Sequence, residues 1–133
     1  MSASQDLIAR ATEAQRAAYA PYSKFHVGAA IRMAGQTFSG ANVENASYGL
    51  AICAERAAIF TAVNAGARQL EEVVVITNVS PPSSPCGACR QVLREFVTDP
   101  TAVRVTAINP QGEQRSWTVA ELLPDGFSGR ELP

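Results

Sequence analysis

Three thiols and one carboxyl carry the chemical content of this sequence. Cys53, Cys86 and Cys89 are all the cysteines in the chain. An odd number in a small chain without a secretion signal makes a poor disulfide framework. In a reducing compartment, thiols that are not core packing serve as metal ligands or nucleophiles. Cys86-Gly87-Ala88-Cys89 has the spacing of half a zinc site or of a redox pair. Pro85 stands before it and a predicted helix follows it, while Cys53 opens a second predicted helix. A thiolate at a helix N-terminus is stabilised by unpaired N–H groups and by the helix dipole. Two such helix starts aimed at one point would gather three thiolates around a cation.

The number of ligands matters. Structural zinc usually closes its shell with four protein groups, whereas catalytic zinc keeps a position for water. His26, the one histidine, could supply a fourth ligand, although a lone histidine is more often packing or surface. Glu55 follows Cys53 by two residues. On the first turn of that helix it is badly placed to share the metal with its neighbour. It is well placed to reach a water held there, which is the arrangement of a general acid and base. A first-turn glutamate also favours the helix dipole by itself. The neighbouring cysteines are what give it a chemical reading.

The elements that must position these groups can be read from periodicity. Leu7, Ile8, Ala11, Ala14 and Ala18 form one helical stripe over about 5–20, with Asp6 near its start and Pro21 at its end. Residues 26–33 and 36–41 read as two strands joined near Ala34-Gly35, where Gly35 can take the positive φ of a tight turn. The alanine-rich stretch 53–65 predicts a helix closed by Gly66. Val73, Val74, Val75 and Ile76 give a strand over 71–78 that is buried on both faces. A proline-rich loop follows, then a helix over 89–96 with Val92, Leu93 and Phe96 at core spacing. A buried strand over 102–108, a short strand over 114–117 and a short helix over 119–123 complete the chain. This alternation predicts a three-layer α/β/α sandwich around a mixed sheet of about five strands.

The chain has 133 residues, which sets the expectation of one domain over 1–133. Hydrophobic residues make up 47%, an ordinary globular share that excludes intrinsic disorder. Charged residues are only 17%, low for a small domain, so part of the surface is expected to be covered by other copies. Lys and Arg number 11 against 12 Asp and Glu. That balance offers no basic surface for nucleic acid. No apolar stretch is long enough to span a membrane, and the first residues lack a signal-peptide pattern, so a cytoplasmic location is expected.

Taken together, Cys53-Ala54-Glu55 and Pro85-Cys86-Gly87-Ala88-Cys89 resemble the zinc nucleobase and nucleoside deaminases. The likeness extends over nearly the whole chain. The run from Ala20 to Phe25, then Val27 to Ala30, looks like the opening strand of the small, oligomeric cytidine deaminases. Asn42-Val43-Glu44-Asn45-Ala46, the Arg56-Ala57-Ala58 extension, Arg90-Gln91, and Leu122-Leu123-Pro124 with Phe127 are similar to that family as well. His26 departs from it, standing where a proline is more usual.

The resemblance implies hydrolytic deamination of cytidine and 2′-deoxycytidine to uridine and 2′-deoxyuridine, with one zinc per subunit activating a water. It implies that Cys53, Cys86 and Cys89 bind the zinc and that Glu55 shuttles protons. Asn42 and Glu44 would hold the ribose hydroxyls, and Phe25 would pack on the pyrimidine ring. Ala54 and Ser84 would address the base edge through their backbone. Arg56 would hydrogen-bond the zinc thiolates. Tyr48 and Phe127 resemble positions that complete a neighbouring subunit's pocket in a homotetramer with shared active sites. The residues themselves agree with part of this. Asn42 and Glu44, two apart on an extended segment, face the same way. Three thiolates exceed the charge of a zinc dication by one, and Arg56 would offset the excess. A blasticidin-type deaminase, a nucleic-acid editor, a closed structural zinc domain and a thiol redox couple are the competing readings.

Overall fold

A computed structural model describes residues 2–133; Met1 lies outside the described residues. Its frame is the β-branched run of the sequence, which forms β3, Leu70–Ile76. The antiparallel hairpin of β1, Gly28–Met33, and β2, Gln36–Ala41, lies on one side of β3, with β1 next to it. On the other side β4, Arg104–Ile108, runs parallel to β3, and β5, Gln114–Thr118, closes the sheet antiparallel to β4. The strand order is β2-β1-β3-β4-β5, so the mixed five-stranded sheet is present as expected.

Alternation along the strands sorts the side chains into two cores. Ala29, Ile31 and Met33 of β1, Val73 and Val75 of β3, and Val105 of β4 face one side. There they meet Ala54, Ala58, Ile59 and Ala62 of α2, Ala54–Asn64, and Leu93 of α3, Gly87–Glu95. Ala30, Val74, Ile76 and Ile108 face the other side and meet Ala3, Leu7 and Ala11 in and before α1, Gln5–Gln15. The layers are therefore helix, sheet and helix. A short α4, Val119–Leu122, follows β5, opened by a capping box between Thr118 and Glu121.

Two glycines set how closely the helices approach. A Cβ on Gly28 would lie 2.1 Å from the Ala11 carbonyl oxygen of α1, and one on Gly40 would lie 2.7 Å from the Ala58 nitrogen of α2. The β1–β2 turn takes positive φ at both Ala34 (53°) and Gly35 (75°), the pattern of a two-residue type I′ hairpin.

Boundaries fall within two residues of expectation except at the end of α1, and three of the shifts have visible reasons. Helix α1 stops at Gln15 instead of running to 20. Its stripe gives way because the Tyr19 N–H donates to the Asn42 carbonyl (2.9 Å) and Tyr19 pairs with Val43. Strand β1 starts at Gly28 rather than 26, since His26 and Val27 are held from the side by Gln15 and Asn42. Helix α3 starts at Gly87, which makes Cys86 its N-cap and brings Cys89 inside its first turn.

Candidate metal centre and its cavity

Each thiol owes its position to a helix start. Cys53 caps α2 in an extended conformation, and its carbonyl accepts the Ala57 N–H at 3.1 Å. Cys86 caps α3 in the same way, accepting the Arg90 N–H at 3.0 Å. The helix starts converge, so the three sulfur atoms lie within 4.8 Å of one another. Cys53 Sγ and Cys86 Sγ are 3.7 Å apart. Tetrahedral zinc with bonds of ~2.3 Å would separate two sulfurs by ~3.8 Å, so this donor set fits zinc. His26 is not in the group; its Nδ1 lies 3.0 Å from the Lys24 carbonyl oxygen. Three ligands leave the fourth position of a tetrahedron to solvent or substrate.

Arg56 stands over the sulfurs, with Nη2 donating to Cys53 Sγ at 3.2 Å. The contact holds the guanidinium more firmly protonated than usual. Cys53 is pulled down to about 5, first by a hydrogen bond with Cys89 and then by Arg56 and Cys86. Cys89 is raised by the same bond and by burial. Glu55 is buried behind them, only 4% exposed, and loss of hydration lifts its carboxyl to about 7. A carboxyl that titrates near neutrality can both take and return a proton.

The group opens onto a cavity of about 260 Å³ lined by Phe25, Val27, Cys53, Glu55, Val75, Thr77, Ser83, Ser84 and Cys86. Phe25, Ser84 and Glu55 are thus brought to the thiols as the sequence implies. Ala54 is buried as the first residue of α2. Asn42 and Glu44 do reach in the same direction, and both grip the segment that carries Phe25. Asn42 accepts the Val27 N–H (2.9 Å) and donates to the Phe25 carbonyl (2.7 Å). Glu44 accepts the Tyr22 and Ser23 N–H groups (3.0 and 3.2 Å) and the Ser23 hydroxyl. These bonds, the serine hydroxyl first, hold the Glu44 carboxyl below its usual range. Glu44 also lines a second cavity of about 360 Å³ with Tyr22, Ser23, Asn45, Tyr48 and Ala51. Tyr48 is 80% exposed and meets the edge of Tyr22, ring to ring at 6.3 Å. Phe127 is exposed as well, its carbonyl accepting from Gln91 Nε2 at 2.9 Å.

From the sequence, Arg90 stands only as part of the family resemblance. Its guanidinium bonds the Pro85 carbonyl (2.7 Å), Ser84 Oγ (2.9 Å) and the Leu122 carbonyl (3.0 Å). It ties the loop before Cys86 to the C-terminal end of α4. Its place directly after Cys89, in the first turns of α3, is the signal the sequence offers.

This fold and this site define an α/β protein with a three-thiol zinc position and a buried carboxyl beside it. The family model for the cytidine and deoxycytidylate deaminase zinc-binding region matches residues 1–105, and the chain belongs to that family. A cytidine deaminase of Halalkalibacterium halodurans is 46% identical over 129 residues, covering 96% of each chain. One from Mycobacterium tuberculosis is 38% identical over 128 residues, covering 96% of this chain and 91% of that one. The crystal structure of a cytidine deaminase from Burkholderia pseudomallei superposes with a TM-score of 0.87 at 46% identity, covering 95% of this chain and all of that one.

Proposed function

We propose that this protein deaminates cytidine and 2′-deoxycytidine by hydrolysis, releasing uridine or 2′-deoxyuridine and ammonia, as one domain over 1–133. The observation that carries the reading is the convergence of three thiols beside the buried carboxyl of Glu55, at the end of a cavity walled by Phe25 and Val27. Zinc, when bound by Cys53, Cys86 and Cys89, acidifies water and so supplies the nucleophile for C4 of the base. Glu55 takes one proton from the attacking water and delivers it to ring N3, then takes the proton of the new C4 hydroxyl and passes it to the departing amine, leaving the C4 carbonyl. Arg56 offsets the excess negative charge of three thiolates around a dication. Phe25 packs on the ring, and the Ala54 and Ser84 backbone meets its polar edge. Asn42 and Glu44 take the ribose hydroxyls while holding the loop that presents Phe25.

Tyr48 and Phe127 reach a neighbouring copy's pocket in a homotetramer; their exposure together with that of Leu50 supports this. The free thiols favour a reducing compartment, and we place the protein in the cytoplasm. No helix of the described residues is long and apolar enough to cross a membrane. The even charge balance argues against nucleic acid as substrate. The test is the loss of cytidine absorbance by the zinc-loaded protein. Turnover that stops with a chelator and returns with zinc is expected; turnover indifferent to the chelator sinks the reading.

A further inference from the structure

Among the residues lining the metal-side cavity, Thr77 is a polar one to which no role above falls. It continues β3, and its parity is that of Val73 and Val75, so its side chain faces the α2–α3 side. Its own N–H donates to the Ile108 carbonyl at 3.2 Å, which fixes its backbone in the sheet. The residue is only 2% exposed, and Oγ1 has no hydrogen-bond partner among the described residues. Valine has the same shape and already fills the two preceding inward positions, so packing gives no reason for a hydroxyl here. A buried polar group without a partner opposes folding. The ligand that fills the cavity is the place where that group can be satisfied.

We propose that Thr77 Oγ1 is a recognition group that hydrogen-bonds the polar edge of the planar heterocycle held between Phe25 and Val27. This rests on the deaminase reading, which also explains the residue type. Replacing the amino group of the base by oxygen exchanges a donor for an acceptor on that edge, and the ring nitrogen beside it changes in the opposite sense. A hydroxyl donates and accepts, so it serves substrate and product alike. A bond made equally in both states contributes uniform binding and leaves the chemical step alone.

The test compares zinc-loaded wild type, Thr77→Val and Thr77→Ser. Thr77→Val is expected to raise KM for cytidine and the inhibition constant of uridine by the same factor, about tenfold for a neutral hydrogen bond. Its kcat should stay within about twofold, and its nucleoside-free Tm should be no lower than wild type. Thr77→Ser, which keeps the hydroxyl, should recover most of the KM. An active wild type with unchanged KM and uridine inhibition in Thr77→Val overturns this inference alone. So does a Thr77→Val protein that melts lower without nucleoside, since the hydroxyl would then serve the fold. A wild type that leaves cytidine intact overturns the deaminase reading and this inference with it.

Discussion

The two faces of the sheet are built for different purposes. On the α1 face, Leu7 and Ala11 press on Ala30, Val74 and Ile76, and polar contacts tie the helix and the residues before it to the sheet and to the segment that leads into β1. Asp6 bonds Arg32 of β1, the segment before the helix bonds Glu72 of β3 through Ser4 (2.6 Å), and Gln15 bonds the His26 carbonyl (3.0 Å). On the α2–α3 face the same alternation fills a core, but at one end of that core both helices begin. Their N-termini leave N–H groups unpaired, and the sequence places thiols and a buried carboxyl there instead of hydroxyl caps. Glu55, stripped of hydration, is harder to ionise there, while on the α1 face the carboxyl of Asp6 is held ionised by Arg32.

That contrast can be broken first at its strongest point. Cys86→Ala removes one of three sulfurs from a site with no fourth ligand among the described residues, so zinc and deaminase activity should disappear together while the sheet persists. Metal analysis alongside an activity assay checks this; an active, zinc-free variant would end the metal argument. Glu55→Gln should retain zinc and fold and lose at least about two decades of kcat, the contribution of a positioned acid–base group. Near-wild-type turnover in a zinc-replete Glu55→Gln would remove the carboxyl from its role.

The opposite face should answer in stability rather than rate. In Gly28→Ala the new methyl meets backbone atoms of α1, Ala11 oxygen at 2.1 Å and Gln15 nitrogen at 2.6 Å, which no rotamer change can relieve. Overpacking of this kind costs about 1–3 kcal/mol and should lower Tm by several degrees. The kcat/KM of the folded protein should stay within a few-fold of wild type, because Phe25 and Val27 hang from Asn42. A loss of kcat larger than the loss of stability would show that the two faces are coupled.

The same contrast explains what was legible in the sequence. Strand β3 is readable because burial on both faces leaves an uninterrupted β-branched run, α2 because its stretch is rich in alanine, and α3 because Val92, Leu93 and Phe96 stand at core spacing, although that spacing sets its start two residues late. The end of α1 was not readable. Its apolar stripe continues to Ala18, and only the pairing of Tyr19 with Val43, distant in sequence, stops the helix. Asn42 could be singled out as a residue but not by its hydrogen bonds, since the two backbone groups it clamps lie 17 and 15 positions away. Thr77 was hidden for a related reason. Its significance is a missing partner, and only packing shows what a side chain fails to meet.

The smallest effect tests the α1 face where solvent still reaches it. Asp6 meets Arg32 Nη2 with both carboxylate oxygens, at 3.0 and 2.8 Å. The hydrogen bond from Arg32 is the main cause of a carboxyl held below its usual value of 3.8. A carboxyl with a folded pKa below its unfolded pKa stabilises the protein above the unfolded value. That contribution is lost as the pH falls through the folded value. Asp6→Asn removes it at every pH. Melting curves of the two proteins should therefore differ slightly at neutral pH, wild type higher, and converge as the pH drops below about 4. Glu44, Asp99, Glu113 and Glu131 are depressed in the same way, so both proteins weaken together in acid, and the difference between them isolates Asp6. Asp6 is exposed and Arg32 half-buried, and salt should shrink the gap at neutral pH. A gap that stays constant down to pH 2 would mean that the asparagine acts through the helix start, not through the charge that Arg32 holds.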